Sequence, residues 1–405
     1  MGYFKDAFKG LAFQSILRIS VRLIGFIKIS VLARFLGPVE FGIFGIASLV
    51  LTLLETMTDT GTNILLIQEK GDDNKYLSSV FTISVVRGIA ISSLIIIFIP
   101  LIEYFFNIHN LNNLMLLIAF VPFIRGFINP AIIKFEKDLR FDKELLLRLC
   151  LYTVDAAVSI YIAIKYQVVE GLIIGMIVAV VFELLFSWIF INPKPSITFR
   201  LKEFKNIINR GKWITLTGIF NYLFHNIDDV VVGKMLGVYS LGLYQLSYKI
   251  ATLPIYETGE IFGRVTLPVY SKIANEKDRL RKAFIKTTNV ITLLVIPVGL
   301  ILFLFTKEIV LLILGPKWLE AVNVIKILVI FSILRSISGS VAPLFYALNK
   351  QEHVTKYIYS GLFVLSIIII PFTKFLGLEG AAISTVIATI FTIPIIIKSL
   401  KKEIL

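Results

Sequence analysis

From Ser79 to Leu101 the chain reads SVFTISVVRGIAISSLIIIFIPL, with a single charge, Arg87, in 23 residues. A helix of this length covers the ~30 Å of hydrocarbon in a bilayer. Eleven further windows have the same character, so candidate spans lie near 12–36, 41–66, 79–101, 113–134, 145–164, 169–191, 213–236, 241–263, 285–305, 319–347, 355–373 and 377–397. Hydrophobic residues make up 57% of the 405 and charged residues only 17%. A soluble chain of this size has no core able to hide so much apolar surface. The fold class expected is an all-α integral membrane protein of about twelve transmembrane helices, with short interfacial helices after residues 101 and 305. The first window carries Arg18, Arg22 and Lys28 and lacks a small-residue cleavage pattern, so it reads as a first span and not as a cleaved leader.

Orientation follows from the lysines and arginines. With the N-terminus inside, 27 of the 41 cations fall in cytoplasmic segments and only five in external loops: Lys165, Lys234, Lys307, Lys317 and Lys374. Both termini are thus expected in the cytoplasm of a cell-membrane protein. The same asymmetry explains most of the formal charge of +14, which leaves no need for a nucleic-acid partner. One cysteine, Cys150, forbids an internal disulfide, and the sequence suggests no metal site, catalytic group or cofactor.

The chain also repeats itself. ARFLGPVEFGIF at 33–44 is answered by GKMLGVYSLGLY at 233–244, which aligns Leu36, Gly37 and Gly42 with Leu236, Gly237 and Gly242. DTG at 59–61 is answered by ETG at 257–259, VEGL at 169–172 by LEGA at 378–381, and Arg125 by Arg335. Two six-helix lobes, 1–195 and 196–405, are expected as duplicates. An even number of spans gives both the same orientation, related by a pseudo-twofold axis along the membrane normal around a central cavity.

Several stretches resemble the polysaccharide exporters, the O-antigen and teichuronic-acid type flippases of the multidrug/oligosaccharidyl-lipid/polysaccharide superfamily. These are YSLGLYQLSYKIATLP, GRVTLPVYSKI, DRLRKAF, LLILGPKWLEAVNVIKIL and LARFLGPVEFGIF; RLIGFIKISVLAR is also similar to the lipid II flippases. Many members carry fourteen helices; the two that lengthen a lipid-tail groove have no counterpart among the twelve expected here. The resemblance implies translocation of a polyprenyl-(pyro)phosphate-linked oligosaccharide to the outer leaflet by alternating access. The head group would pass through a central cationic cavity without covalent chemistry. Its implied partners are the lipid-linked substrate, membrane lipids, and the glycosyltransferases or polymerase of the same pathway.

Charges inside the spans test this expectation, because each costs roughly 2.5–3.5 kcal/mol at the bilayer centre unless it meets water or a partner. Near helix ends, Arg18, Arg34, Arg87 and Lys326 are expected to snorkel or to meet lipid phosphate. Arg22 lies deeper and shares a face with Arg18; Lys28 lies about 120° away from it. The substrate-binding candidates are Arg18, Arg22, Lys28, Arg125, Lys249 and Arg335. For Arg22 and Lys28 the alternative is an ion pair with Glu55 or Asp155; for Lys249, a pair with Glu257 or Asp229; for Arg125 and Arg335, helix anchoring. Of the charges read as intramembrane, the first half holds six cations (Arg18, Arg22, Lys28, Arg34, Arg87 and Arg125) and four acids (Glu55, Asp59, Asp155 and Glu183), the second three (Lys249, Lys326 and Arg335) and four (Asp228, Asp229, Glu257 and Glu260). Asp228 and Asp229 are therefore candidates for coupling to H+ or Na+, the alternative being a pair with Lys249 or Arg335.

Three rivals remain. A drug or metabolite exporter of the same superfamily would favour an acidic first lobe. A membrane enzyme of polysaccharide assembly would need an acidic external loop, and the external loops are short. A scaffold for biosynthetic enzymes leaves the intramembrane charges unexplained.

Overall fold

A computed structural model describes the backbone at 2–68, 76–109, 111–199 and 201–404, and the side chains of these residues except 2–15, 64, 201–214 and 256–265. The described residues form helices and no strands. In order they are α1 (Gly2–Phe35), α2 (Pro38–Met57), α3 (Thr62–Gln68), α4 (Leu77–Phe106), α5 (Asn112–Gly126), α6 (Lys134–Lys137), α7 (Phe141–Tyr166), α8 (Glu170–Phe190), α9 (Leu201–Lys272), α10 (Lys277–Leu304), α11 (Thr306–Ile313), α12 (Val322–Gly339), α13 (Val341–Ala347) and α14 (Gln351–Glu403). Short 3-10 turns cover Pro130–Ile133 and Pro316–Ala321.

Each of the twelve expected spans falls on helix, and the protein is a multi-pass membrane protein. By length and hydropathy, seven helices among the described residues can cross a bilayer, or eight with the bent pair Asn112–Gly126 and Pro130–Lys137. Two elements each join two expected spans: α9 breaks at Gly237 (φ 82°) and α14 at Gly377 (φ 61°). That left-handed conformation is open to glycine and costly for other residues. At the matching point of the first half, α1 ends and α2 begins at Gly37, whose N–H donates to Glu40 Oε2 at 2.8 Å. The repeated Leu-Gly therefore marks a helix-to-helix corner in both halves.

Three expectations need correction. The span expected at 41–66 is two helices, because the chain turns at Thr58–Gly61, where the Gly61 N–H donates to Asp59 Oδ1 at 2.9 Å. The span expected at 113–134 bends by 71° after Gly126. Asn129 fixes that bend: its side-chain oxygen accepts from the Ala131 N–H at 3.0 Å, and its amide donates to Pro193 O at 3.0 Å. After residue 101 there is no separate helix among the described residues, since α4 runs on to Phe106 and stops at Asn107 (φ 54°). After residue 305 the expectation holds, in α11 and the Pro316–Ala321 turn.

Packing divides the chain into two compact units, 1–226 and 227–405; the duplicated halves would divide at 195/196. The segment 201–226 of α9 falls in the first unit, where the Tyr222 hydroxyl donates to Leu49 O at 2.8 Å and the Thr215 hydroxyl to Asp59 O. Within that unit α4 crosses α5, and α7 lies between α1 and α8. Within the second unit α12 packs on α10 and α14. Tyr270, Leu280, Phe284, Phe345, Ile396 and Leu400 form a core at one end of it. Backbone polar groups are satisfied inside helices, as hydrocarbon requires. Hydroxyls do the same by bonding back one turn, for example Ser92 to Gly88 O and Ser332 to Leu328 O.

Candidate functional site

Seven charged side chains gather inside the first unit, on six helices. Lys28 of α1 is the most buried cation of the group, and its ammonium donates to both oxygens of Asp155 on α7, at 2.7 and 2.8 Å. The two side chains are 11% and 18% exposed. Of the alternatives open to Lys28 in the sequence, the structure takes the pair with Asp155. One turn on, the Ser159 hydroxyl donates to Asp155 Oδ1 at 3.3 Å.

Lys28 can reach α7 because α1 presents opposite characters on its faces. Ile16, Ile19, Leu23 and Ile27, spaced at i, i+3, i+7 and i+11, are more than half exposed. Lys28 points away from that stripe into the helix packing. Arg18 and Arg22 are half-buried on the same helix and engage other groups of the protein.

The remaining charges are arranged around α5, α7 and α8. Arg125 donates to Glu55 Oε1 of α2 at 2.6 Å. Arg87, expected to snorkel, instead turns inward: its Nη2 donates to Glu55 O at 2.6 Å and its Nε to Thr58 Oγ1 at 2.9 Å. It thereby occupies carbonyl and hydroxyl groups freed where α2 stops. Arg148 of α7 meets Glu183 of α8 at 3.4 Å. Four cations thus stand against three carboxylates.

Between these groups lies a cavity of about 160 Å³, lined by Arg125, Arg148, Tyr152, Asp155 and Glu183 with Leu151, Met176, Ala179 and Val180. At ~30 Å³ per water it holds about five. Its walls follow from helical spacing. Arg148, Tyr152 and Asp155 lie at i, i+4 and i+7 on α7; Met176, Val180 and Glu183 repeat that spacing on α8. Arg148 was counted in the sequence among the cytoplasmic cations. Its i+7 relation to Asp155 is the signal that places it on the polar face.

The second unit carries its own polar cluster on α9 and α12. Asp228 is buried and accepts from the Tyr244 hydroxyl at 2.9 Å. Arg335 is an electrostatic neighbour of Asp228 and lies over the Phe331 ring at 5.6 Å. Asp229 has the Gln245 side chain and the Lys249 ammonium as neighbours. The structure therefore brings Lys249, Arg335, Asp228 and Asp229 together. Lys326, expected to snorkel, sits over the Phe303 ring at 5.6 Å. The expectation of a pair between Lys249 and Glu257 rests on a side chain outside those described.

Chemically, these clusters hold fixed charge in an apolar surrounding. The first unit offers guanidinium and ammonium groups suited to phosphate; the second offers two adjacent carboxylates.

Comparison with known proteins agrees in sequence and in fold. A membrane protein of the cps region of Klebsiella pneumoniae is 26% identical over 94% of this chain and 79% of its own length. The lipopolysaccharide biosynthesis protein WzxC of Escherichia coli K12 is 26% identical over 89% of this chain and 74% of its own. The lipid II flippase MurJ, in an inward closed conformation, superposes with a TM-score of 0.75 at 18% identity, covering 96% of this chain and 87% of that one. At that identity the likeness shows the fold. Residues 31–323 match the family described as polysaccharide biosynthesis protein, and this chain belongs to that family.

Proposed function

We propose that the protein is a flippase, carrying a polyprenyl-(pyro)phosphate-linked oligosaccharide from the cytoplasmic to the outer leaflet for assembly of a cell-surface polysaccharide. The observation that carries this reading is the group of four cations and three carboxylates within the first unit, of which Arg125, Arg148, Asp155 and Glu183 line one cavity. Such an excess of positive charge at membrane depth suits an anionic cargo. Arg18, Arg22, Lys28 and Arg125 would receive the phosphates, with Lys249 and Arg335 as their counterparts in the second unit. Names of the relatives support the pathway: one is a lipopolysaccharide biosynthesis protein, and the protein of similar fold is a lipid II flippase.

In this reading both termini are cytoplasmic, which rests on the cation distribution. Asp228 and Asp229 bind the H+ or Na+ that returns the empty carrier, and the glycosyltransferases or polymerase of the pathway supply and consume the cargo. A drug exporter of the same fold is disfavoured by the sign of the first-unit charge.

The test is flipping in vesicles. Protein reconstituted into phosphatidylcholine liposomes is given a fluorescent undecaprenyl-pyrophosphate-linked sugar, and leaflet exposure is followed by quenching from outside. Transfer above that of protein-free vesicles, reduced at least about tenfold in Lys28→Ala and Arg22→Ala, is the expected result. Transfer no faster than in empty vesicles, together with export of a cationic dye, would transfer the assignment to the drug exporters.

A further inference from the structure

We infer that Asp155 is a built-in substitute for the cargo's phosphate: it neutralises Lys28 in the empty carrier and hands Lys28 over to the arriving anion while its own carboxylate moves along α7 toward Arg148. This rests on the flippase reading above and adds to it a gate for charge.

The geometry has three parts. Lys28 is held through both oxygens of one carboxylate, and the pair is largely shielded from solvent. An uncompensated ammonium at this depth is unfavourable, so only another anion can displace Asp155. Apolar or cationic solutes leave the pair closed.

Secondly, Asp155 has somewhere to go. Arg148 lies seven residues earlier on the same face of α7, about 10 Å along the axis at ~1.5 Å per residue. Side chains on a helix lean toward its N-terminus, which carries the Asp155 carboxylate toward Arg148; the long, flexible Arg148 arm leans the same way and must turn back along the shared cavity wall to meet it. Both groups line the same 160 Å³ cavity. Arg148 is held only loosely by Glu183, at 3.4 Å, and its side chain is 42% exposed. It can therefore accept a second carboxylate.

Thirdly, the opposite direction is closed. Gly175 of α8 is pressed on Asp155 and Ser159 so tightly that a Cβ there would lie 2.9 Å from Asp155 Oδ1. The carboxylate moves into the cavity because α8 blocks it elsewhere. The exchange is neutral overall: one anion replaces another at Lys28, and the released one is taken up by a guanidinium.

The experiment uses full-length protein in phosphatidylcholine nanodiscs, titrated with inorganic pyrophosphate as the probe. Asp155→Asn removes the competitor, so pyrophosphate should bind about ten- to hundredfold tighter than to wild type, and Lys28→Ala/Asp155→Asn should lose that gain. Arg148→Ala should weaken binding in the wild-type background, where Asp155 needs a landing place, and change nothing in the Asp155→Asn background. Equal or weaker binding by Asp155→Asn, or an Arg148→Ala effect of the same size in both backgrounds, would overturn the exchange. Thermal unfolding is the second readout. Asp155→Asn should melt below wild type without pyrophosphate and be raised by pyrophosphate more than wild type is; equal shifts overturn the exchange. Phosphatidylglycerol added to the nanodiscs should leave the gain intact, and its loss would assign the site to a lipid headgroup and overturn the cargo assignment. Failure here is separable from failure of the flippase reading. If Lys28→Ala abolishes flipping but Asp155→Asn binds no better, only the exchange falls; if Lys28→Ala flips normally, the functional reading falls first.

Discussion

Gly175 of α8 and Ser159 of α7 pack with no room for a methyl group between them: a Cβ at 175 would lie 2.0 Å from Ser159 Oγ and 2.7 Å from Asp155 O. The backbone carbonyl cannot rotate aside, so the helices themselves would have to separate. Gly175→Val should destabilise the protein by about 1–3 kcal/mol through overpacking. It should also pull Asp155 away from Lys28. Thermal unfolding followed by tryptophan fluorescence checks the first effect, and a loss of flipping at temperatures where the variant is folded checks the second.

Arg87 ties α4 to the end of α2 through Glu55 O and Thr58 Oγ1. Its role is structural. Arg87→Ala should therefore cost about 1.5–3 kcal/mol, the range for hydrogen bonds to a charged group; both bonds are part-buried. Arg87→Lys, with one donor group in place of a fork, should recover part of that loss. The measurement is the unfolding midpoint of each variant. A pyrophosphate affinity that changes while stability does not would give Arg87 to the cargo instead.

How much of this was legible in the sequence depends on whether a feature is local. The spans were, because Gly, Pro and charge clusters punctuate apolar runs at the length of a bilayer. The Leu-Gly repeat was too, and Gly37 and Gly237 do form corners at corresponding places. The bend after Gly126 carried a local signal in Asn129-Pro130, a turn-favouring dipeptide, but apolar residues on both sides hid it. The choice made by Lys28 was not legible, since Glu55 and Asp155 were equal partners until helix packing put α7 beside α1. Arg87 looked like a snorkelling residue because nothing in its own helix reveals that α2 stops at Met57. Arg148 was misread for a similar reason: two turns of one face had to be set against α8 before its place beside Glu183 was visible.

The Arg125–Glu55 pair is short, at 2.6 Å, but its side chains are 42% and 26% exposed. Solvated pairs of this kind contribute about 0.2–1 kcal/mol. A double-mutant cycle with Arg125→Ala and Glu55→Gln should therefore yield a small coupling energy in unfolding experiments. If Arg125 serves the cargo, its removal should slow flipping while Glu55→Gln leaves the rate within about twofold. Equal slowing by both single variants would mean that the pair acts only as a helix anchor.

The second unit gives the sharpest separation between coupling and structure. Asp228 is buried and bonded to Tyr244, whereas Asp229 faces Gln245 and Lys249. Tyr244→Phe removes the donor to a buried carboxylate and should cost about 1–3 kcal/mol, without abolishing gradient dependence if Asp229 carries the ion. Asp229→Asn keeps the shape and removes the charge. Under imposed H+ or Na+ gradients in liposomes, flipping by this variant should no longer respond to the gradient, while exchange without a gradient persists. Asp228→Asn should show the same loss only if both carboxylates share one ion. An Asp228→Asn/Asp229→Asn variant that still follows the gradient would remove both residues from coupling, and would leave them as the fixed counter-charges of Arg335 and Lys249.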